Sequence, residues 1–560
     1  MADAGGAPST GGLRAFQPLR ERTYRNIWSA SLLSNFGQLI LGVGAAWEMT
    51  RLTEGMERGP ELVALVQSAM MLPMMLIAVP AGAIADMFDR RKIAITGLAF
   101  AAICAAVLTT LAYAGFTTPW MLLIFCALIG AGVALYAPAW QASVTEQVGA
   151  DQLPAAIALT SISYNIARSV GPAIGGLVVM AAGAMAAFAI NAIFYLPLLL
   201  AFVWWDRKHV TPRLPPERID RAIISGARYA VHSPPIRTVI IRSLTFAMAG
   251  ASIPALTPLL ARDVLNGDAG TYGLLLGVFG IGAVAGALFT SQVRERMNPE
   301  LAVWICAVVT GVTIIAVGLS ESVPLTALAL GLAGAAWMLL FSLLNVGVQL
   351  SSPRWVNART LSWYQGGLTG GAAFGAWLWG WTAGQLGIGN AFLLSGAVVI
   401  LLPLLGLRLP MPAVSLAQVE MVDLGNEPEV ALALTPRSGP IVIEIDYRVD
   451  PDRARDFYNA MRKLQRVRLR NGGFNWSIAR DIADPMLWTE RYQCPTWGDY
   501  LRQRSRLTQG DMDLQALVDS FDETPGERRV RRRLERPFGS VRWGADTPDP
   551  RSDSISIFTP

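Results

Sequence analysis

Histidine is almost missing from this chain of 560 residues, which has only His209 and His232. Imidazole is a common ligand of protein-bound metal ions, so this scarcity argues against a histidine-based metal site. Cysteine offers no alternative, because its four copies form no C-x-x-C pair. No metal or cofactor is predicted, and we expect small buried thiols without disulfide bonds. The four are Cys104, Cys126, Cys306 and Cys494.

Signals for nucleotide binding and for secretion are missing as well. The chain has no G-x-x-x-x-G-K-[ST] loop to cradle phosphates, which argues against an ATP-driven pump. Residues 1–12 are rich in glycine, alanine and serine, and their one charged side chain is Asp3. No cationic and apolar signal precedes the first long apolar run. We therefore expect the amino terminus to stay in the cytoplasm.

Apolar residues dominate the first 410 positions. Hydrophobic residues make up 53% of the chain, charged residues make up 16%, and the mean hydropathy is +0.40. A spanning helix needs roughly 20 mostly apolar residues. Such runs predict an all-α polytopic membrane protein with twelve transmembrane helices. The predicted spans are 27–49, 62–84, 93–114, 119–140, 155–180, 186–204, 238–261, 270–291, 301–319, 324–349, 358–383 and 390–409.

The spans divide the chain into two bundles of six helices, at 27–205 and 238–410. An amino-terminal tail covers 1–26, and a central loop covers 206–237. Lysine and arginine concentrate in cytoplasmic loops, so the basic residues predict that both termini lie in the cytoplasm. The same rule explains the formal charge of +5 without a nucleic-acid partner, and it makes membrane lipids the expected surroundings. The basic residues assigned to the cytoplasmic face are Arg14, Arg20, Arg22, Arg25, Arg90, Arg91, Lys92, Arg294, Arg296, Arg354 and Arg359.

The two bundles repeat each other in sequence. Ala81-Gly82-Ala83-Ile84 reappears as Ala285-Gly286-Ala287-Leu288, and the same offset takes Arg90 to Arg294 and Gly171 to Gly375. One register shared by distant segments indicates duplicated halves. Such an architecture places a binding site between the halves, near the middle of the membrane.

Beyond 410 the pattern changes to that of a soluble domain. A linker at 411–438 precedes an α+β domain at 439–545 and a tail at 546–560. The order strand, helix, two strands, helix and strand predicts a ferredoxin-like βαββαβ unit. The predicted elements are a strand at 439–449, a helix at 451–470, strands at 474–481 and 486–493, a helix after Pro495 and a strand within 529–536.

A charged turn joins the second and third spans. It reads Gly82-x-x-x-Asp86-x-x-x-Arg90-Arg91-Lys92, and it resembles the signature loop of the major facilitator superfamily. The resemblance implies a gate on the cytoplasmic side. Asp86 would meet the start of the eleventh span near Asn357, and Arg90 or Arg91 would pair with Glu146. The alternative is an ordinary basic cytoplasmic loop.

The fifth span carries a second motif. Gly171-Pro172-Ala173-Ile174-Gly175-Gly176 resembles the Gly-Pro-x-x-Gly-Gly motif of drug exporters in the same superfamily. Small residues allow close helix packing, and a proline makes a bend tolerable where neighbours satisfy the freed carbonyl. The resemblance implies a hinge used for gating. A plain glycine packing seam is the alternative.

A longer stretch narrows the resemblance to one branch. The segments 136–141 and 152–156, together with Asn165 and Arg168, look like macrolide-efflux proteins and enterobactin-type exporters, the transmembrane secretion effectors. This implies export driven by proton antiport. One position departs from drug and proton antiporters, since Cys126 stands near the place of their fourth-helix arginine.

Few polar side chains in the spans are candidates for binding substrate or proton. Arg168 lies about 14 residues into its span, roughly 20 Å deep, and could meet an anionic substrate group or be neutralised permanently by a carboxylate or by helix carbonyls. Glu48 could exchange protons or simply be solvated at the interface. Asn165, Gln38 and Gln365 add hydrogen-bonding groups. Trp337, Phe341, Trp363 and Phe374 could form aromatic walls of the site, or they could face lipid or pack within the bundle.

These features predict a secondary active exporter of a small amphiphilic organic compound such as a drug, a siderophore or a secondary metabolite. The soluble domain resembles antibiotic-biosynthesis monooxygenase domains, which implies a homodimer, although its aromatic residues are expected in the core. The rival hypothesis is a membrane-tethered enzyme whose domain modifies the exported compound. The basic run 528–536 is read as a solvated edge strand, with anionic lipid or RNA binding as alternatives.

Overall fold

The computed structural model describes residues 16–149, 152–206, 219–353, 355–412, 416–422, 428–432, 434–524 and 530–535. The chain divides into two compact units. The helical unit comprises Met1–Ile223, Thr238–Val346 and Leu361–Met411. The α+β unit comprises Ile224–Arg237, Gly347–Thr360 and Pro412–Pro560. Two short segments from the membrane half of the sequence therefore belong to the second unit.

Long helices rich in alanine, leucine, valine and glycine build the helical unit. Those of the first half are α1 Arg22–Leu52, α2 Gly59–Met87, α3 Arg90–Tyr113, α4 Pro119–Ser143 and α5 Leu153–Trp204. After α6 Ile219–His232, the second half consists of α7 Pro234–Gly250, α8 Ser252–Leu259, α9 Ala269–Leu288, α10 Thr290–Arg296, α11 Pro299–Leu319, α12 Val323–Leu350, α13 Asn357–Leu386 and α14 Ile388–Leu401.

Each of the twelve predicted spans falls on a helical segment. Within the part of the chain that the structure describes, nine segments are long and apolar enough to cross a membrane. The helices α1 and α13 are not among these nine, because polar side chains lower their hydropathy. The count of twelve crossings stays a prediction.

Two predicted spans lie on the single stretch α5. Gly183 breaks this stretch with φ 75° and ψ 173°, a backbone conformation that glycine adopts without steric cost. The seventh predicted span is also divided. It covers α7 and α8 and ends in a π-helix at Leu260–Val264.

Polar caps explain where several helices begin. Asp89 accepts a hydrogen bond from the Arg91 backbone amide at 2.9 Å, which satisfies an amide at the start of α3. Asp268 does the same for Thr271 at the start of α9, and Asn298 does so for Glu300 at the start of α11. Local side-chain chemistry therefore separates one span from the next.

The α+β unit contains a four-stranded antiparallel sheet in the order β2-β3-β1-β4. This order confirms the predicted ferredoxin-like arrangement. Its strands are β1 Ile441–Arg448, β2 Phe474–Arg480, β3 Leu487–Cys494 and β4 Val530–Leu534, and its helices are α15 Leu416–Val419, α16 Ala454–Arg470, α17 Trp497–Ser505 and α18 Gln509–Asp519. The predicted second helix is in fact two, since Thr508 and Asp511 form a capping box that starts α18.

The predicted core of this domain is confirmed. Alternate residues of β1 and one face of α16 are buried, and the aromatic side chains of Tyr447, Phe457, Tyr492 and Trp497 lie among them. The edge strand β4 is exposed, and its arginines pair with Glu444 and Asp446 of β1. All four cysteines are buried, as expected, and their thiols are free.

Candidate functional site

The two halves of the helical unit meet where α5 packs against α9. A Cβ on Gly176 would lie 2.6 Å from the Gly273 Cα, and a Cβ on Gly280 would lie 2.7 Å from the Ser169 Cα. The Ser169 hydroxyl donates a hydrogen bond to the Gly280 carbonyl at 3.3 Å. Glycine is therefore needed here because backbone meets backbone.

The other glycines of the fifth-span motif face α1 instead. A Cβ on Gly171 would lie 3.0 Å from Leu39 Cβ, and one on Gly175 would lie 3.1 Å from Val43 Cβ. Pro172 lies inside α5, between these glycines. The motif thus packs on both halves, and its role as a hinge stays a prediction.

A second contact between the halves joins α2 and α13. The Ser68 hydroxyl donates a 2.6 Å hydrogen bond to the Ala373 carbonyl. Gly380 lies against Ala64, and Gly370 lies against Met75. Both contacts between the halves therefore rest on small residues and extend to about the middle of the helices.

Charged and aromatic side chains close one end of the bundle, which we call the Glu48 end. Glu48 is buried and forms an ion pair of 2.6 Å with Arg51. Arg262, in the π-helix of the second half, pairs with Asp263 and donates a hydrogen bond to the Thr50 carbonyl of α1. The π-helix thus presents a guanidinium to the last turn of α1, where helix carbonyls lack partners.

A ring contact at the same end also joins the halves. Trp47 of α1 stacks on Tyr272 of α9, with ring centroids 6.4 Å apart and an interplanar angle of 17°. Glu48 is therefore buried next to a contact between the halves, whereas its partner Arg51 is exposed. Its role in proton exchange stays a prediction.

Arg168 lies beside the contact between α5 and α9, where a Cβ on Gly280 would be 2.8 Å from the Arg168 carbonyl oxygen. Its guanidinium is 3.8 Å from the Met338 sulfur of α12. Among the side chains that the structure describes, no carboxylate lies within ion-pair distance of it. Of the other polar candidates, Asn165 and Gln38 are half-buried, and Gln365 is exposed. Trp337 and Phe341 contact each other with centroids 4.7 Å apart.

The opposite end of the first half, which we call the Arg90 end, contains an ion pair. Arg90 Nη1 lies 3.1 Å from Glu146 Oε1 and donates a 2.9 Å hydrogen bond to the Ala142 carbonyl. Arg91 donates to the Phe202 carbonyl at 2.9 Å and to the Val203 carbonyl at the end of α5. The charged turn therefore ties α3 to the ends of α4 and α5.

The predicted contact of Asp86 lies outside what can be described. Its backbone belongs to α2, but its side chain is outside the described residues. The helix that it was expected to meet does begin at Asn357.

Sequence reasoning missed an ion pair in the second half. Arg242 is fully buried in α7 and makes two hydrogen bonds to Glu300, at 2.7 and 2.9 Å. Arg242 also donates to the Leu409 carbonyl, and the Met411 amide donates to Glu300. The available signal was Arg242 itself, because an arginine within an apolar span is costly unless it has a partner.

The α+β unit contains a second buried ion pair that the sequence did not indicate. Arg468 Nε donates to Glu490 at 3.0 Å, and the same carboxylate accepts hydrogen bonds from Trp476 at 2.9 Å and Tyr447 at 3.2 Å. Burial alone would lower the pKa of Arg468, but Glu490 holds it well above its ordinary value. The network is satisfied within the core.

Two halves joined through small-residue contacts have the architecture of the major facilitator fold. Solved structures share this fold. A D-xylose-proton symporter gives a TM-score of 0.55 at 13% identity, covering 68% of this chain and 98% of the symporter. A bacterial homologue of the human lysosomal transporter Spinster, inward-facing and occupied, gives 0.54 at 14% identity over 70% of this chain and 98% of the homologue.

The chain belongs to the transmembrane secretion effector family, whose model matches residues 13–538. This confirms the branch that the sequence resembles, and the match extends into the α+β domain. The staphyloferrin A transporter of Staphylococcus aureus is 25% identical over 52% of this chain and 72% of its own length. The enterobactin exporter EntS of Salmonella typhi is 26% identical, with shares of 54% and 70%.

A third relative is the multidrug efflux pump Tap of Mycolicibacterium fortuitum, 23% identical over 65% of this chain and 89% of the pump. The family supports a multi-pass membrane transporter, and the solved structures support its fold.

Proposed function

We propose that this chain is a secondary active exporter that moves a small amphiphilic organic compound out of the cytoplasm by alternating access. The compound is a drug, a siderophore or a secondary metabolite. Support comes from the relatives, which include an enterobactin exporter and a multidrug efflux pump. The structural likeness supports the fold alone, since identities there are near 14%.

The observation that carries the proposal is the glycine contact between α5 and α9. Helices that meet backbone to backbone at Gly176 and Gly273 can part and repack without withdrawing long side chains from each other. Duplicated halves with such a contact suit a rocking motion about a central site. Arg168 lies beside this contact, at the predicted middle of its span, and would bind an anionic group of the substrate through its planar guanidinium.

Orientation follows from the basic loops. With both termini in the cytoplasm, the Arg90 end faces the cytoplasm and the Glu48 end faces outside. The packed Glu48 end then excludes outside water, and the Arg90–Glu146 pair together with Asp86 forms the cytoplasmic latch. Exposed apolar side chains such as Ile103, Ile124 and Leu328 face lipid in the bacterial inner membrane.

Proton coupling is assigned to Glu48. Its carboxylate is buried beside Arg51, so protonation would remove that ion pair and loosen the packed end. Asn165, Gln38 and Gln365 would supply hydrogen bonds to substrate, and Trp337 and Phe341 an apolar wall.

The α+β domain is assigned a regulatory or dimerising role. Its aromatic residues fill its own core, which supports this role over catalysis. Deleting everything after Ala413 tests the assignment. If the full chain and the truncated chain both export the compound unmodified, the assignment is supported. If the full chain modifies the compound and the truncated chain does not, the tethered enzyme is favoured.

The decisive experiment uses inverted membrane vesicles containing the full chain. Uptake of a panel of siderophores and cationic drugs is measured with and without an imposed pH gradient. We expect gradient-dependent uptake of at least one amphiphile, lost in Arg168→Gln. Uptake equal to that of vesicles without the protein would reject the exporter, and uptake indifferent to the gradient would reject proton antiport.

A further inference from the structure

Two aromatic side chains from different loops form a pair within the α+β unit. Tyr229 lies on α6, in the central loop, and it is 2% exposed. Trp355 lies in the turn between α12 and α13. Their ring centroids are 5.4 Å apart at 90°, an edge-to-face contact.

Two arginines of the carboxyl-terminal domain lie over this pair. The guanidinium carbon of Arg470, at the end of α16, is 5.1 Å from the Tyr229 ring. That of Arg506, just after α17, is 4.0 Å from the Trp355 ring. Both distances are within the range of cation–π attraction, and the shorter one involves tryptophan, the strongest partner for a cation.

Two neighbouring contacts join further elements around this pair, α18 to α16 and α13 to α6. Asp511 of α18 pairs with Arg470 at 2.5 Å, which orients its guanidinium. Arg359, in the first turn of α13, donates a 2.5 Å hydrogen bond to Ser225 of α6. Burial raises the pKa of the Tyr229 hydroxyl to about 12, so the ring stays neutral and keeps its attraction for cations.

The two gripped loops lead directly into helices of the helical unit. α6 is followed by α7 at Pro234, and Trp355 is followed by α13 at Asn357. Within the helical unit, α7 and α13 pack closely at Gly371 and Gly375, and α13 is the helix that meets α2 across the two halves.

We propose that the carboxyl-terminal domain is a regulatory clamp that grips its own transporter at Tyr229 and Trp355 through Arg470 and Arg506. The effect on export rate rests on the proposed export function, whereas the docking of the domain does not. The clamp holds the loops that enter α7 and α13 together, and it therefore opposes any change in the separation of these helices. Loosening the clamp frees that change and speeds export.

The first arm measures docking without substrate. Hydrogen exchange of the full chain in lipid nanodiscs reports protection of residues 219–232 and 355–360. Arg506→Ala and Trp355→Leu should each raise exchange in both segments. Arg466 is an exposed arginine on α16, so Arg466→Ala is the matched control and should leave exchange in both segments unchanged. Trp355→Phe should keep the wild-type protection because phenylalanine also presents an aromatic face. Unchanged exchange in both test variants would overturn the clamp.

The second arm measures initial export rates in vesicles. Arg506→Ala and Trp355→Leu should raise the rate about fivefold, the size that one such contact supports. Wild-type rates should remain in Arg466→Ala and Trp355→Phe. Equal or slower export in the test variants would overturn regulation by restraint. A chain that shows the exchange changes but exports no tested amphiphile would reject the proposed function and leave the docking surface supported.

Trp355→Leu guards the test against misfolding of the domain, because it changes a loop residue and leaves the domain sequence intact.

Cross-linking distinguishes docking within one chain from docking between two chains. Tyr229→Cys combined with Arg470→Cys should be joined within one chain by a flexible bifunctional thiol reagent, because the two side chains meet only at their tips and a direct disulfide cannot span them. A product that runs only as a dimer would overturn the intramolecular clamp.

Discussion

Gly176 of α5 lies so close to Gly273 of α9 that a Cβ on Gly176 would be 2.6 Å from the Gly273 Cα. No side chain can enter this contact unless the backbones of the two halves separate. The fifth-span motif is thereby connected to the contact on which an alternating mechanism depends.

A substitution at this contact should block export without preventing insertion. Gly176→Leu should disturb the packing by about 1–3 kcal/mol and lower the export rate at least about tenfold. Gly42→Leu is the matched control, because a Cβ on Gly42 meets nothing within 4 Å. Export and membrane content are measured side by side. Normal export by Gly176→Leu would contradict the role of the contact.

The buried pair in the second half should contribute strongly to stability. Glu300→Gln leaves the fully buried guanidinium of Arg242 without its charged partner, at a cost of about 3 kcal/mol. Glu61→Gln removes an exposed pair with Arg58, which solvent screens, and should cost much less. Thermal unfolding in detergent compares the two variants, and equal losses would refute the assignment.

The charged turn should act as a latch through Asp86. Asp86→Asn keeps the size of the side chain but removes its charge, and we expect export to fall about tenfold with insertion intact. Asp89→Asn is the control in the same turn, since asparagine also caps a helix well. If both variants export as wild type does, Asp86 has no gating role.

Proton coupling should be lost when Glu48 can no longer ionise. Glu48→Gln removes the charge that pairs with Arg51, so export should become independent of an imposed pH gradient. Glu61→Gln, at the start of α2, serves as the control and should keep the gradient dependence. The measurement is uptake into inverted vesicles at equal and unequal pH. Gradient dependence retained in Glu48→Gln would assign the proton site elsewhere.

Acid should weaken the packing of α6 through His232. Burial, with the nearby Arg228 cation adding to it, holds the pKa of His232 below its ordinary value of 6.5. The unfolded chain then binds a proton first as the pH falls, so this stabilisation is present above pH 6.5 and is lost as the pH falls through the folded pKa. Hydrogen exchange of residues 219–232 between pH 8 and 5 measures it. His232→Gln should flatten the profile, and an unchanged profile would exclude His232.

Much of the fold could be predicted because its signals are local. Apolar runs of membrane-spanning length predicted twelve spans, and each of these falls on a helical segment of the structure. Alternation in Ile441, Ile443 and Ile445 located β1, and the Asp484-Pro485 turn located the boundary between β2 and β3. The basic strand β4 and the buried aromatic residues of the domain follow from the same patterns.

The missed features are relations between distant residues. Arg242 and Glu300 have no shared motif, and neither do Arg468 and Glu490, so their pairing follows only from packing. Gly183 breaks α5 through a positive φ that an apolar run does not reveal, and the capping box at Thr508 divides a helix that amphipathic spacing alone would continue.

The sequence by itself determined the class of this protein, because hydropathy, charge placement and strand alternation depend on neighbouring residues along the chain. Only the tertiary structure decided which of its charges and rings are partners. Arg470 covers Tyr229, and Arg506 covers Trp355, because folding brings the central loop, the turn before α13 and the carboxyl-terminal domain together in one unit. Cation–π attraction acts over a few ångströms and leaves no periodic trace in a sequence.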